Sequence, residues 1–156
     1  MKKSTQPKKQ KQTSGLPLVH PNAAGIDIGD NFHVVAVPEG RDKERVKTFG
    51  SMSCDLVTIA TWLKNCNIDT VAMESTGVYW KPLFSVLIKG GFEVYLVNAY
   101  HVRSNNGRKN DEGDAQWIQK LHSCGLLKSS YLSDDEGEAL RSLVRYSFLA
   151  IISFYQ

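Results

Sequence analysis

Cysteine is scarce in this chain of 156 residues, and its number is odd. Cys54, Cys66 and Cys124 show none of the close Cys/His spacings that hold zinc, and three thiols do not make a disulfide framework. They read as reduced, mostly buried thiols of a cytosolic protein. Long apolar runs are also missing: no segment reaches the roughly 20 residues that cross a bilayer, so no membrane partner is expected. The basic start gives way to Gln, Thr, Ser and Pro and not to an apolar stretch, so no secretory signal is expected. No internal repeat is visible. The length is that of one domain with enough apolar residues for a core.

Positive charge is present but unevenly placed. Lys2, Lys3, Lys8, Lys9 and Lys11 contribute +5 with no acid among them, so a net charge of +3 leaves −2 for the remainder. Residues 1–21 are polar, rich in Lys, Gln, Ser and Pro, and without periodicity, and they read as a disordered basic arm. Such an arm suits a polyanion, and equally suits a solubilising tail.

After the arm, three β-like segments follow closely, at about 24–29, 32–37 and 45–49, with turns at Asn31 and Pro38-Glu39-Gly40. Links this short predict an antiparallel meander. The period then changes: Leu56, Ile59, Ala60 and Leu63 share a helical face over 54–66, with Ser53 as a fair N-cap. Asp69 to Glu74 reads as a fourth strand. A second helix opens at Ser75-Thr76-Gly77 and closes at Gly90-Gly91, and Phe92 to Asn98 is a fifth strand. A polar, basic loop leads to a helix over 111–123 with Ala115, Ile118 and Leu121 as its buried stripe, stopped by Gly125. Ser133-Asp134-Asp135-Glu136 fits a capping box at the start of a last helix. The order predicts an α/β domain, a mixed five-stranded sheet whose first three strands are antiparallel, with helices on its faces.

The chemistry centres on acids. In Ala24-Gly25-Ile26-Asp27-Ile28-Gly29, strand alternation sends Asp27 to the face opposite Ile26 and Ile28, and the small Gly25 and Gly29 permit close approach of a ligand or another backbone. Glu74 ends strand four, which a right-handed crossover can set beside strand one. Asp111 and Asp114, three apart at a helix start, lie on one face. Four acids from three elements can thus converge at one sheet edge. Converging carboxylate oxygens favour Mg²⁺ or Mn²⁺ over zinc, and such ions support phosphodiester chemistry. Arg103, Arg108 and Lys109 lie where a nucleic-acid backbone would be met.

Each element has a plainer reading. Asp111 and Asp114 alone would be helix N-terminal acids complementing the dipole, and Glu74 a strand-end residue. His33, His101 and His122 read as packing or surface histidines. Trp80 and Tyr79 could stack on bases, but packing of their helix on the sheet is the more ordinary role.

These residues also carry a resemblance. Gly25-Ile26-Asp27-Ile28-Gly29, Met73-Glu74-Ser75-Thr76-Gly77-Val78-Tyr79-Trp80, Val97-Asn98-Ala99 with His101-Val102, and Gly107-Arg108-Lys109 leading to Asp111 and Asp114 resemble the DEDD transposases of bacterial insertion sequences. So do Asp114-Ala115-Gln116-Trp117-Ile118, the segment from Leu121 to Leu127, and that from Leu140 to Tyr146. The resemblance covers nearly everything after the arm. It implies a RuvC-like domain of RNase H-like fold over 22–132, with helices on both faces. It also implies Asp27, Glu74, Asp111 and Asp114 as catalytic, metal-binding acids. The partners it implies are DNA and an element-encoded guide RNA, and it leaves room for a homo-oligomer of the full-length protein. The location implied is the bacterial cytoplasm at the nucleoid.

The departures are specific. Tyr100 stands where arginine is expected and Asn110 where threonine is expected. Residues 147–156 are apolar where the family continues as an arginine-rich helix. Residues 133–156 therefore read as the start of a truncated C-terminal helix. The family's C-terminal domain, with its nucleophilic serine, is absent from this sequence, so the expectation is a transposase domain that is inactive alone. Two alternatives remain. One is a non-catalytic RNA/DNA-binding fragment of the same transposase. The other is an actin-like phosphotransferase domain, which would need a second nucleotide-binding half and glycine-rich phosphate loops that are not seen.

Overall fold

The structure, a computed structural model, describes residues 17–75, 77–98 and 111–129, apart from the side chains of 111 and 112. Most of the expected arm, Thr76, His101, the basic residues Arg103, Arg108 and Lys109, and the helix expected from Ser133 lie outside the described residues.

The first half of the fold is a meander: β1 (Ala23–Ile28), β2 (Phe32–Ala36) and β3 (Val46–Gly50). The bond from Gly29 N–H to Phe32 O, at 3.0 Å, closes the tight first hairpin. The chain then crosses over through α1 (Ser53–Asn65), β4 (Thr70–Glu74), α2 (Trp80–Lys89), β5 (Glu93–Val97) and α3 (Asp111–Ser123). The strands lie side by side in the order β3-β2-β1-β4-β5. β1 pairs antiparallel with β2 and parallel with β4, β2 antiparallel with β3, and β4 parallel with β5. This is the mixed five-stranded sheet expected of an RNase H-like domain, with its first three strands antiparallel. The crossover through α1 does set Glu74's strand beside Asp27's.

Alternation divides the sheet between two layers. Ala24, Ile26 and Ile28 of β1, Val35 of β2, and Val71 and Met73 of β4 face a large core closed by Leu56, Ile59 and Leu63 of α1 and Leu83 and Leu87 of α2. Val34 and Ala36 face the other way onto Ala115, and Ala72 and Val97 onto Ile118, so α3 covers the second face.

Three local expectations need correction. Met52, not Ser53, is the N-cap of α1. The Asp55 carboxylate accepts the Met52 N–H at 3.2 Å and so satisfies an orphan donor from within the first turn. The second helix begins at Trp80, not at Ser75-Thr76-Gly77, because Gly77 takes a left-handed φ of 58° that no helix can continue through. The buried stripe of α3 is Ala115, Ile118, Gln119 and His122, with Leu121 only half-buried. Helical geometry selected positions i, i+3, i+4 and i+7, and two polar residues occupy them because each finds a partner. Gln119 Nε2 donates to Ser123 Oγ (2.8 Å) and Ala23 O (3.3 Å). Gly125, with φ 68°, ends α3 as expected, and the Leu126 N–H caps Leu121 O at 3.0 Å.

Of the cysteines, Cys66 is buried, Cys124 intermediate and Cys54 exposed; all three are free thiols. Cys54 corrects the expectation of mostly buried thiols, since it lies on the outer side of α1. His33 and His122 are packing histidines as expected. His122 sits at the far end of α3, with Nε2 2.9 Å from Thr70 Oγ1, and stacks on His20 with ring centroids 5.0 Å apart. Burial, with His20 beside it, pushes the His122 pKa down to about 4. The unfolded chain, with a histidine pKa near 6.5, takes up this proton first. The stabilisation by neutral His122 is therefore complete above pH 6.5 and is lost as pH falls towards 4, by about 3 kcal/mol in full. Urea unfolding at pH 7.5, 5.5 and 4.5 should show this loss, and His122→Leu should flatten the profile although Thr70 loses its partner. An unchanged profile in the variant would assign the acid sensitivity elsewhere.

Candidate metal and nucleic-acid site

The carboxylate edge is set by parallel pairing. Register couples Ala24 with Val71, Gly25 with Ala72 and Ile26 with Met73. One step further on both strands brings Asp27 level with Glu74, on strands about 4.8 Å apart. By the same alternation both side chains leave the face of the large core and point to the α3 side. Asp27 is half-buried, and Glu74 is only 7% exposed. On β5, Val97 pairs with Glu74. The Val97 carbonyl also accepts from Ser75 N–H at 3.0 Å and Ser75 Oγ at 3.1 Å, which fixes the chain just beyond Glu74.

α3 supplies the third side because it runs antiparallel to β1. Its C-terminal end is tied to the beginning of the sheet: Ser123 O accepts Val19 N–H and His20 N–H, Gln119 reaches Ala23 O, and His122 meets Thr70. Gly25 fixes how closely the helix lies. A Cβ there would stand 2.5 Å from Ala115 O and 2.8 Å from Gln119 Cα, and closer still to Gln119 N. The small residue next to Asp27 thus admits another backbone, one of the two uses that the sequence suggested.

From this contact the helix can be laid against the strands. Gly25 lies level with residues 115–119. Asp27 is two residues further, about 6.6 Å, which corresponds to about 4.4 residues of α-helix. Asp27 is therefore level with the first turn of α3. The same reckoning from the Thr70–His122 contact brings Glu74 to the same turn. That turn begins at Asp111 and contains the exposed Asp114.

The structure thus brings Asp27, Glu74 and Asp114 to one edge, with the Asp111 backbone beside them; the Asp111 side chain lies outside the described residues. Among the described residues, no three His, Cys, Asp or Glu side chains are already gathered as a metal cage. The donor chemistry nevertheless fits a hard divalent cation. Carboxylate oxygens offered from adjacent strands and a helix end are the hard ligands that such a cation takes.

A family model for DEDD transposases of the IS110 type, described as a transposase, matches residues 24–151. The chain belongs to this transposase family. Among solved structures, the transposase chain is similar to the RuvC structure of Thermus thermophilus, at 15% identity and a TM-score of 0.49, covering 69% of this chain and 99% of that one. No curated protein gives a significant match. Among the described residues of the transposase chain, no helix is long and apolar enough to cross a membrane.

Two features of the site escaped the sequence. Gln119 reads as a polar helical residue, yet it is buried and locks α3 to β1. Its position four residues after Ala115, on the apolar stripe, was the available signal. Phe32 reads as an ordinary strand residue, and only pairing shows that it shares Asp27's face. Tyr79, expected to pack with its helix, is 51% exposed, whereas Trp80 packs onto the core and lies edge-on to Phe84 at 5.6 Å.

Proposed function

We propose that this chain carries the divalent-metal-dependent catalytic centre of a transposase acting on DNA, with Asp27, Glu74, Asp111 and Asp114 as the metal-binding acids. The observation that supports it best is the β1–β4 register, which ends at Ile26 and Met73 and so leaves Asp27 and Glu74 one residue further on each strand, on the face that α3 covers. Bound there, Mg²⁺ or Mn²⁺ would activate an attacking oxygen and stabilise the leaving one in phosphodiester chemistry. The protein's own contribution is positional. The parallel strands fix two carboxylates, the helix contact at Gly25 fixes the distance of the other pair, and Glu74's burial limits water at that ligand.

Arg103, Arg108 and Lys109 are assigned to the DNA backbone. The chain leaves β5 at Asn98 and re-enters at Asp111, both at the carboxylate edge, and Lys109 is only two residues from Asp111 along the chain. Replacing Arg108 and Lys109 together by alanine should weaken DNA binding at all sequences. The log–log salt slope should fall by about 2, one per lost phosphate contact. An unchanged slope would remove both from the interface. An element-encoded guide RNA is a second polyanionic partner in this reading, and the Lys-rich arm is its complement in charge. The domain spans 22–132 in the same reading.

The deciding experiment is calorimetric titration of the chain with Mg²⁺ and Mn²⁺, alongside Asp27→Asn and Asp114→Asn. Saturable binding that both substitutions abolish, with the fold kept, supports the site. Binding retained in both would overturn it. No binding by the folded unsubstituted chain would shift the reading to nucleic-acid binding without catalysis.

A further inference from the structure

The β1–β2 hairpin places one large apolar side chain beside the carboxylates without covering it. Phe32 is the first residue of β2 and alternates in step with Val34 and Ala36, which contact Ala115, so it faces the α3 side. Asp27 pairs with Val34, so Phe32 stands diagonally across the hairpin from Asp27, at the about 7 Å separation of such neighbours. It lies about 7 Å beyond Val34 along β2, past the first turn of α3, and remains 42% exposed. Among the described residues it joins none of the apolar clusters and stacks on no other ring.

Tyr79, the other exposed aromatic near this edge, is placed differently. A Cβ on Gly77 would lie 3.4 Å from its ring, so it leans on its own turn, and it opens the helix that packs on the opposite face. Phe32 combines Asp27's face, Asp27's end of the sheet and a free ring surface.

We infer that Phe32 is a stacking platform for an unpaired DNA base adjoining the phosphate held at the carboxylate edge, an assignment that rests on the proposed catalytic reading. Stacking on an aromatic ring tolerates any base, because every base has a π-face, and it orients the backbone without reading sequence. A duplex offers its bases only at their edges, so the platform takes single-stranded or locally unstacked DNA. Phe32 would be a positioning residue, holding a nucleotide so that its phosphate meets Asp27 and Glu74.

The test uses the whole chain and a single-stranded oligonucleotide carrying 5-iodouracil, with photocrosslinks located by mass spectrometry. The crosslink is expected at Phe32. Phe32→Ala should weaken single-strand binding about tenfold or more, Phe32→Trp should restore it, and duplex binding should change little. Since the ring is half-exposed, the alanine variant should keep its melting temperature. Wild-type affinity in Phe32→Ala, a crosslink only elsewhere, or no single-strand binding by the unsubstituted chain would each overturn the inference. Mg²⁺ titration of the same preparations separates the two readings. Metal binding without dependence on Phe32 removes the platform alone. Phe32-dependent binding without metal binding keeps the platform and removes the catalytic reading.

Discussion

Gly25→Ala should lower the stability of the domain by about 3 kcal/mol and its Tm by about 10 °C or more, although it adds a single methyl group. The added carbon would meet the backbone of α3 at Ala115 and Gln119, and not the tip of a side chain that could swing away. Relief requires the whole helix to move off the sheet. That movement would strain the Gln119–Ala23 and His122–Thr70 hydrogen bonds and open the packing of Ile118 on Ala72 and Val97. It would also carry the first turn of α3 away from Asp27 and Glu74. Any variant that remains folded should therefore bind divalent metal more weakly, even though no acid has been touched. Urea unfolding with Mg²⁺ titration of the folded fraction measures both effects. A Tm within 2 °C of the parent would mean that α3 does not lie on Gly25 as described.

Asp27→Asn should produce the opposite combination, a fold that stands and a site that fails. Asparagine keeps the size and most hydrogen-bonding capacity of the side chain but removes its charge. A unit charge about 4 Å from a dication is worth several kcal/mol even with the screening of a protein surface, so Mg²⁺ affinity should fall by at least about 100-fold. Stability without metal should change by less than about 1 kcal/mol, because Asn keeps the size and shape of the side chain. Glu74→Gln should behave alike. A structural carboxylate would give the reverse signature, with stability lost and metal affinity unchanged. Denaturation without metal and calorimetry with it, on the same two variants, discriminate the two roles.

Much of the fold was legible because it is written locally. The meander follows from short links between β-patterned segments, and the crossover strands follow from helical periods alternating with apolar runs. The observed strand ends fall within one residue of those expected. Helix starts were less legible. Met52 has no capping side chain to announce it, and the left-handed turn at Gly77 looks like a helix-opening motif in sequence. The stripe of α3 was misassigned at Leu121 because hydrophobicity marks a buried position only when no polar residue there has a partner. His122 and Gln119 have theirs in Thr70, Ser123 and Ala23.

By itself the sequence determined the family and the order of the described strands and helices, and it proposed the four acids, since these rest on residue types at fixed spacings along one chain. The tertiary structure alone decided what depends on registers between segments far apart. Parallel pairing makes Asp27 and Glu74 level, and α3 lies against Gly25 closely enough to bring its acidic turn to them. Phe32 shares their face because an antiparallel hairpin sets it diagonal to Asp27. A shift of one residue in either pairing would turn a carboxylate to the opposite face, and that choice is made by packing on the two faces of the sheet.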